Sequence, residues 1–477
     1  MAFAGLGCSG SGSPSRAERD PLAEAVDPTL DTYRRIDGIK ASAARAAAGE
    51  IDRKLWREAI KSKVLWLAGT PAVVRLPAID ALLADDEADT RRVLALLIPR
   101  DPQRQVVDKV AALAAERGWT DLAPSLVRRW SMPMAQVPDA ERSEAAALRA
   151  LLPGQPVEKT VFDVFATPAR GSDLAERARA DAWTVLCRID KGLAKTREYL
   201  AAVDPAAAAD DPKLSALRAG AEDLRAVPSS GDQLEWLEAL RKPERAAFWN
   251  EAKAAIASLK AEQQVGLELR HAAGVRWAAA NRPAWLAKGR ADLLGEIASR
   301  LEGRKTTQRS AELVEGARPR RETVKEAERD LVWGDALLIL IADEALRDAS
   351  VVADLFRQAD DDRRDRSTEY GGVLDAKGAR FEALSYPPRA AQRLGDNRFV
   401  ASLELLERGY VALFHYHFHA RVENESAYAG PGEGDAEYAQ RFGRSCLVVT
   451  SISRDSMDVD YFQPNGAVVD LGEIRRP

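Results

Sequence analysis

The spacing of apolar residues changes once along this chain, near residue 350, and that change limits what each part can fold into. Between about 50 and 133, apolar residues recur at three and four, in Leu55-Trp56, Ile60, Val64-Leu65, then Leu76, Ile79, Leu82-Leu83, then Val93-Leu94, Leu96-Leu97. This is the stripe of helices that bury one side. Beyond about 350, β-branched and aromatic runs appear at short intervals. All ten tryptophans precede that point and seven of nine tyrosines follow it. The expected fold is therefore multidomain, an α-helical N-terminal region followed by a C-terminal α+β domain.

With 477 residues, several domains are expected. Residues 1–30, rich in Gly, Ser, Pro and charge, read as a flexible tail, 31–230 as a helical region, 231–349 as a second helical block and 350–477 as the α+β domain. The breakers Gly69-Thr-Pro71, Asp85-Asp86, Pro99-Arg-Asp-Pro102 and Gly118 cut the first helical region into short pieces with tight connections. Such antiparallel pairs resemble HEAT-type repeats, which implies an α-solenoid. The stretch Ala201–Pro212 reads as a loop or helix-breaking linker. Trp236, Trp249, Trp277, Trp285 and Trp333 read as packing residues, and His271 as a structural histidine.

No run approaches the roughly 18 apolar residues of a membrane span. A net charge of −5 and a pI near 5.7 give no general attraction to phosphate backbones, so nucleic acid is not an expected partner. Three scattered cysteines do not make a disulfide framework. Cys187 and Cys446 fall in apolar runs and are expected to be buried and inert. Cys8, in Gly-Leu-Gly-Cys8-Ser-Gly-Ser-Gly, resembles the lipidated cysteine of a bacterial lipoprotein, which implies a lipid anchor and the cell envelope. The alternatives are a plain N-terminal tail and a cytoplasmic protein.

In the α+β domain, strands are expected at Tyr370–Leu374, Phe381–Tyr386, Val411–His419, Cys446–Ser453, Asp458–Gln463 and Val468–Leu471, with helices at about 350–363 and from Asp435. Gln463-Pro-Asn-Gly466 carries hairpin chemistry. Three of the four histidines, His415, His417 and His419, alternate within Tyr410–His419. On a strand they share one face, which lets a strand offer metal ligands. Upstream, Glu369 opens the apolar run Glu369-Tyr-Gly-Gly-Val-Leu374. Downstream, Pro431-Gly-Glu-Gly-Asp435 leads into a helix.

This order, Glu before a strand, His-x-His at a strand end, then Asp at a helix start, resembles the JAB/MPN metalloprotease family, whose active members are called JAMM proteins. The resemblance covers about residues 350–473. It implies His417, His419 and Asp435 as zinc ligands and Glu369 as general base, with His415 an extra candidate, so that the histidine pair is either His417 and His419 or His415 and His417. Gly432 stands where the family has a serine that stabilises the oxyanion, and Ala420 where it has a proline after the second histidine. The implied activity is zinc-dependent hydrolysis of a peptide, isopeptide or other amide, on a protein or an amide-containing small molecule. The alternative is a non-catalytic scaffold that binds a protein partner through its helical region.

Overall fold

The computed structural model describes residues 20–134, 136–309 and 322–477. Cys8 lies outside them. The chain forms two compact units, residues 1–189 and 190–477.

In the described residues of the first unit every regular element is helical. The expected tail ends earlier than residue 30, because Asp20 caps a helix Pro21–Val26 and Asp31 caps Thr32–Ala47. The two helices pack so closely that a Cβ on Gly38 would lie 2.7 Å from the amide nitrogen of Ala25. Further helices run from Arg53–Ile60 to Asp173–Ile189. The breakers act as read: Gly118, at φ +66°, ends Arg104–Arg117, and Asp86 caps Glu87–Leu97. Cys187 is half-buried rather than buried.

The second unit begins with helices and ends in a sheet. The Ala-rich stretch is helical, contrary to the linker reading. Ala194–Ala202, Pro205–Ala209 and Pro212–Asp223 are separated by Asp204 and Asp211, whose carboxylates cap the helices that follow. Each Asp-Pro pair starts a helix as readily as it stops one, since proline at the first helical position gives up an amide that has no partner anyway. The five tryptophans are all buried. Two of them tie helices to the strand-rich region: Trp236 donates to the carbonyl of Tyr410 at 2.8 Å, and Trp277, on α1 (His271–Asn281), to that of Gly378 at 2.9 Å. Against α1 lies α2 (Trp333–Leu346), apolar and buried on nearly every side.

His271 is structural. Its Nδ1 accepts from the amide of Glu268 at 2.9 Å, and its Nε2–H donates to Asp335 of α2 at 2.8 Å. Arg270 also binds Asp335, whose carboxylate is held well below its usual range by that guanidinium despite burial.

A helix α3 (Ala349–Arg364) precedes eight strands: β1 (Thr368–Glu369), β2 (Gly371–Lys377), β3 (Arg380–Ser385), β4 (Gly395–Phe399), β5 (Phe414–His419), β6 (Cys446–Ser453), β7 (Ser456–Phe462) and β8 (Val468–Arg475). Six form one sheet in the order β3-β2-β5-β6-β7-β8, antiparallel except for the parallel pair β5 and β6. β1 and β4 make a separate parallel pair. The hairpin turn after β7 closes with the amide of Gly466, at φ +82°, donating to Gln463.

The expected strand Val411–His419 starts late, at Phe414. A short helix α4 (Leu403–Gly409) runs into a turn there, so Val411 and Leu413 never join the histidine face. Along β5 the two faces separate cleanly. Phe414, Tyr416 and Phe418 share one face, where Gln358 of α3 accepts from the Tyr416 hydroxyl and donates to the Ala383 carbonyl. His415, His417 and His419 turn the other way. That face is covered by α5 (Glu433–Phe442), through a cluster of Ala439, Cys446, Val448 and Phe462 with Tyr438 against it. Cys446 is buried, as its apolar run implies.

Candidate metal centre

β5 emerges from the sheet centre with its last two histidines on the α5 side. His417 is almost fully buried and His419 partly exposed. Two features of the local backbone bring partners to them. The first is the short β1 and its exit into β2. The carboxylate of Asp362, on α3, accepts from the Tyr370 amide at 2.6 Å and pins the turn after Glu369. Gly371 and Gly372 then let the strand pass where side chains could not. A Cβ on Gly371 would lie 2.6 Å from the Tyr416 carbonyl oxygen and against the ring of Phe399, and one on Gly372 would lie 2.7 Å from the Tyr416 hydroxyl. Phe399 uses that room to stack on His417, with centroids 5.1 Å apart. The second feature is the start of α5. The side chain of Asp435 accepts from the Gly432 amide at 2.7 Å, so this aspartate caps its own helix while its carboxylate points back at the histidines.

The result is a convergence. Nε2 of His417 lies 3.1 Å from Oδ1 of Asp435 and 3.9 Å from Oε1 of Glu369. Nε2 of His419 lies 3.5 Å from Oδ2 of Asp435 and 3.8 Å from the same glutamate oxygen. Three elements distant in sequence thus bring four of the residues picked out from the sequence together. His415 goes elsewhere: its Nδ1 is 2.7 Å from the Tyr438 hydroxyl, and Gly409 leaves space for its ring. Of the two histidine pairings, the geometry brings together His417 and His419.

The donor set fits a zinc-type ion. Two imidazoles and a carboxylate are ordinary ligands for it; one ring nitrogen of each histidine and one oxygen of Glu369 lie within 4.8 Å of one another, and Asp435 places Oδ1 3.1 Å from His417 and Oδ2 3.5 Å from His419. Nε2 of His417 is buried, and although Asp435 is near, no hydrogen bond of acceptable angle reaches it among the described residues. Nδ1 of His419 lies 2.8 Å from the Tyr428 carbonyl. A carbonyl only accepts, so Nδ1 carries the proton and the Nε2 lone pair is left facing the site.

Electrostatics separate the two carboxylates. Burial pushes Glu369 up to about 7, reinforced by the charges of Asp435 and Asp396 and opposed by His417. Asp435 is held well below the usual carboxylate range, because His417 and His419 outweigh its burial. Burial works against a charge on His417, yet Asp435 and Glu369 hold its pKa up to about 9. One acid ready to exchange a proton near neutrality beside one that stays ionised is an arrangement suited to general base catalysis next to a metal ligand.

Glu369, His419 and Asp435 line a cavity of about 880 Å³. Its wall holds residues that the sequence did not point to: Phe399, Tyr438 and Arg309. Arg309 donates to the Gly430 carbonyl at 3.0 Å, and its terminal nitrogens lie 3.6 and 3.7 Å from where a Cβ on Gly432 would stand. No local pattern marks these three, because each reaches the site only through the fold of another segment. Comparison with family models, with curated proteins and with solved structures finds no match to this chain.

Proposed function

We propose that the C-terminal α+β region is a JAB/MPN-like, zinc-dependent amidohydrolase or peptidase centre whose serine position is degenerate. The observation that carries this reading is that each of His417 and His419 lies within ion-pair distance of both Glu369 and Asp435, beside a cavity. His417, His419 and Asp435 would hold the metal. A zinc ion with three such ligands keeps a position for water, lowers the pKa of that water towards about 7 and polarises a carbonyl. Glu369, with its pKa raised to about 7, is matched to accept a proton near neutral pH and return it to the leaving amine. Arg309, beside Gly432, brings positive charge to the neighbourhood where the family serine would act. The substrate class is a peptide, isopeptide or other amide able to enter the cavity.

The deciding experiment is elemental analysis of zinc in wild type and in the His417→Ala, His419→Ala double variant, followed by hydrolysis assays on fluorogenic amides. About one zinc lost in the variant supports the reading. No zinc in either protein, after attempted reconstitution, removes it.

Gly432 favours a second reading, a non-catalytic scaffold that keeps the fold and binds a protein partner, with the N-terminal helices acting as HEAT-like repeats. Partner binding that survives the same double substitution would support it. Attachment to a membrane through Cys8 is compatible with both readings, and predicts detergent partitioning that Cys8→Ser abolishes.

A further inference from the structure

We propose that Asp458, Asp460 and Asp470 form a second cation site, separate from the histidine centre, for a hard divalent cation of the calcium type. Asp458 and Asp460 alternate along β7 and so share a face, and Asp470 stands opposite Asp460 on β8. One carboxylate oxygen from each lies within 4.8 Å of the others. Asp458 and Asp460 are fully buried, and among the described residues no oxygen of either accepts a hydrogen bond of good geometry, although the Thr307 and Gly430 amides favour their ionised forms; one oxygen of Asp470 likewise accepts none. Carboxylates this close in the interior do not remain ionised together without a cation between them.

A further observation points to the same place. Thr450 pairs with Asp458 across β6 and β7, which puts both side chains on one face. Its hydroxyl oxygen is fully buried and lacks a hydrogen-bond partner among the described residues. Two nearby basic side chains are engaged elsewhere: Arg304 with Asp343 and the Leu471 carbonyl, and Lys305 with Glu473. Among the described residues the donors at this site are all oxygen, with no imidazole or thiolate. Such a set selects hard cations, whereas the histidine centre suits zinc, and calcium tolerates the irregular geometry of strand carboxylates.

The site has a position from which it could act. Through the pairs His417 with Val448 and Val448 with Asp460, Asp460 lies two strands from His417 on the same face, about 10 Å across the sheet. Gly430 lies close to both: its amide favours ionised Asp460, and it comes two residues before Gly432, where α5 and its Asp435 begin. A cation held by the three aspartates braces the strands beneath that loop.

The experiment is calcium titration by calorimetry and thermal shift on the full chain after chelator treatment, with Mg²⁺ and Mn²⁺ in parallel and metal counted by elemental analysis. About one Ca²⁺ per chain is expected. Affinity should be weakened more than about tenfold by Asp460→Asn or Asp458→Asn, and retained in His417→Ala, His419→Ala. If those Asn variants do not fold, Asp470→Asn and Thr450→Val replace them, with weakened binding again expected. Absence of uptake of all three ions by wild type overturns the site, as does uptake insensitive to the folded aspartate variants. Binding of zinc alone, lost in the aspartate variants, overturns the assignment to a hard cation. The histidine variant separates these outcomes from failure of the zinc centre, since it removes that centre only.

Discussion

Nε2 of His417 and Oδ1 of Asp435 lie 3.1 Å apart, one on a central strand and the other in the first turn of the helix that covers it. The contact depends on Asp435 doing two things at once. It caps α5 through the Gly432 amide and presents its carboxylate to the histidine face. The same side chain therefore caps the helix and faces the imidazoles.

Metal content follows from that geometry. Wild type is expected to hold about one zinc that the His417→Ala, His419→Ala variant lacks. Asp435→Asn should weaken zinc affinity, while Glu369→Gln should keep the metal, since the glutamate oxygen stands farther from both imidazoles than Asp435 does from His417. Elemental analysis after gel filtration checks all three, and loss of zinc in Glu369→Gln would make that residue a ligand rather than a base.

Activity should respond to the serine position. A Cβ on Gly432 meets nothing closer than 3.5 Å among the described residues, so the backbone there accepts a side chain, with the Arg309 nitrogens and Asp435 beside it. If the centre hydrolyses amides, the hydroxyl added by Gly432→Ser should raise kcat by about 10²-fold, the usual worth of one oxyanion donor. Arg309→Ala should lower it. Steady-state rates on a fluorogenic isopeptide and peptide panel decide, and an unchanged rate in both variants would speak for the scaffold.

Stability should distinguish two glycines. Gly372→Ala forces a methyl to within 2.7 Å of the Tyr416 hydroxyl and still closer to the Leu384 carbonyl, so it should cost about 2–3 kcal/mol. Gly434, inside α5 with open space around it, should gain up to about 1 kcal/mol on replacement by alanine. Urea unfolding of both variants is the measurement, and equal midpoints would contradict the close-approach argument.

The pH dependence of stability should carry a signature of His271. Burial and the charge of Arg270 lower its pKa below 6.5, against the pull of Asp335. The unfolded chain therefore takes up a proton below about 6.5 that the folded chain refuses. This contribution is present in full above that pH and fades as pH falls towards the folded pKa, at up to about 1.4 kcal/mol per pH unit. His271→Gln should flatten the slope of unfolding free energy between pH 7 and 5. An unchanged slope would show that His271 accepts its proton while folded.

Some of this was legible because it depends on spacing along the chain. Alternation placed His417 and His419 on one face of one strand, and the hairpin residues Gln463 to Gly466 form the turn they suggest. Local chemistry also misled where two outcomes share one signal. Asp-Pro marked the stretch after Ala201 as a linker, yet there it starts helices, and the apolar run from Val411 reads as strand although the turn after α4 occupies its first residues. Asp458, Asp460 and Asp470 were visible as residues in apolar strands, but nothing local says that their carboxylates meet.

Residue type and period along the chain account for the helical beginning, the strand-rich end and the donor groups available to a metal, because they set which faces can be buried and which atoms can bind. Choosing among those donors required the packed chain. His415 leaves the cluster for Tyr438 because Gly409 and α5 shape its pocket. Glu369 reaches the imidazoles because Gly371 and Gly372 let β2 run flush against β5 and Phe399. Arg309 enters the cavity by way of the Gly430 carbonyl. Each of these is a contact between segments far apart in sequence, and such contacts are settled by close packing, which no short window of residues encodes.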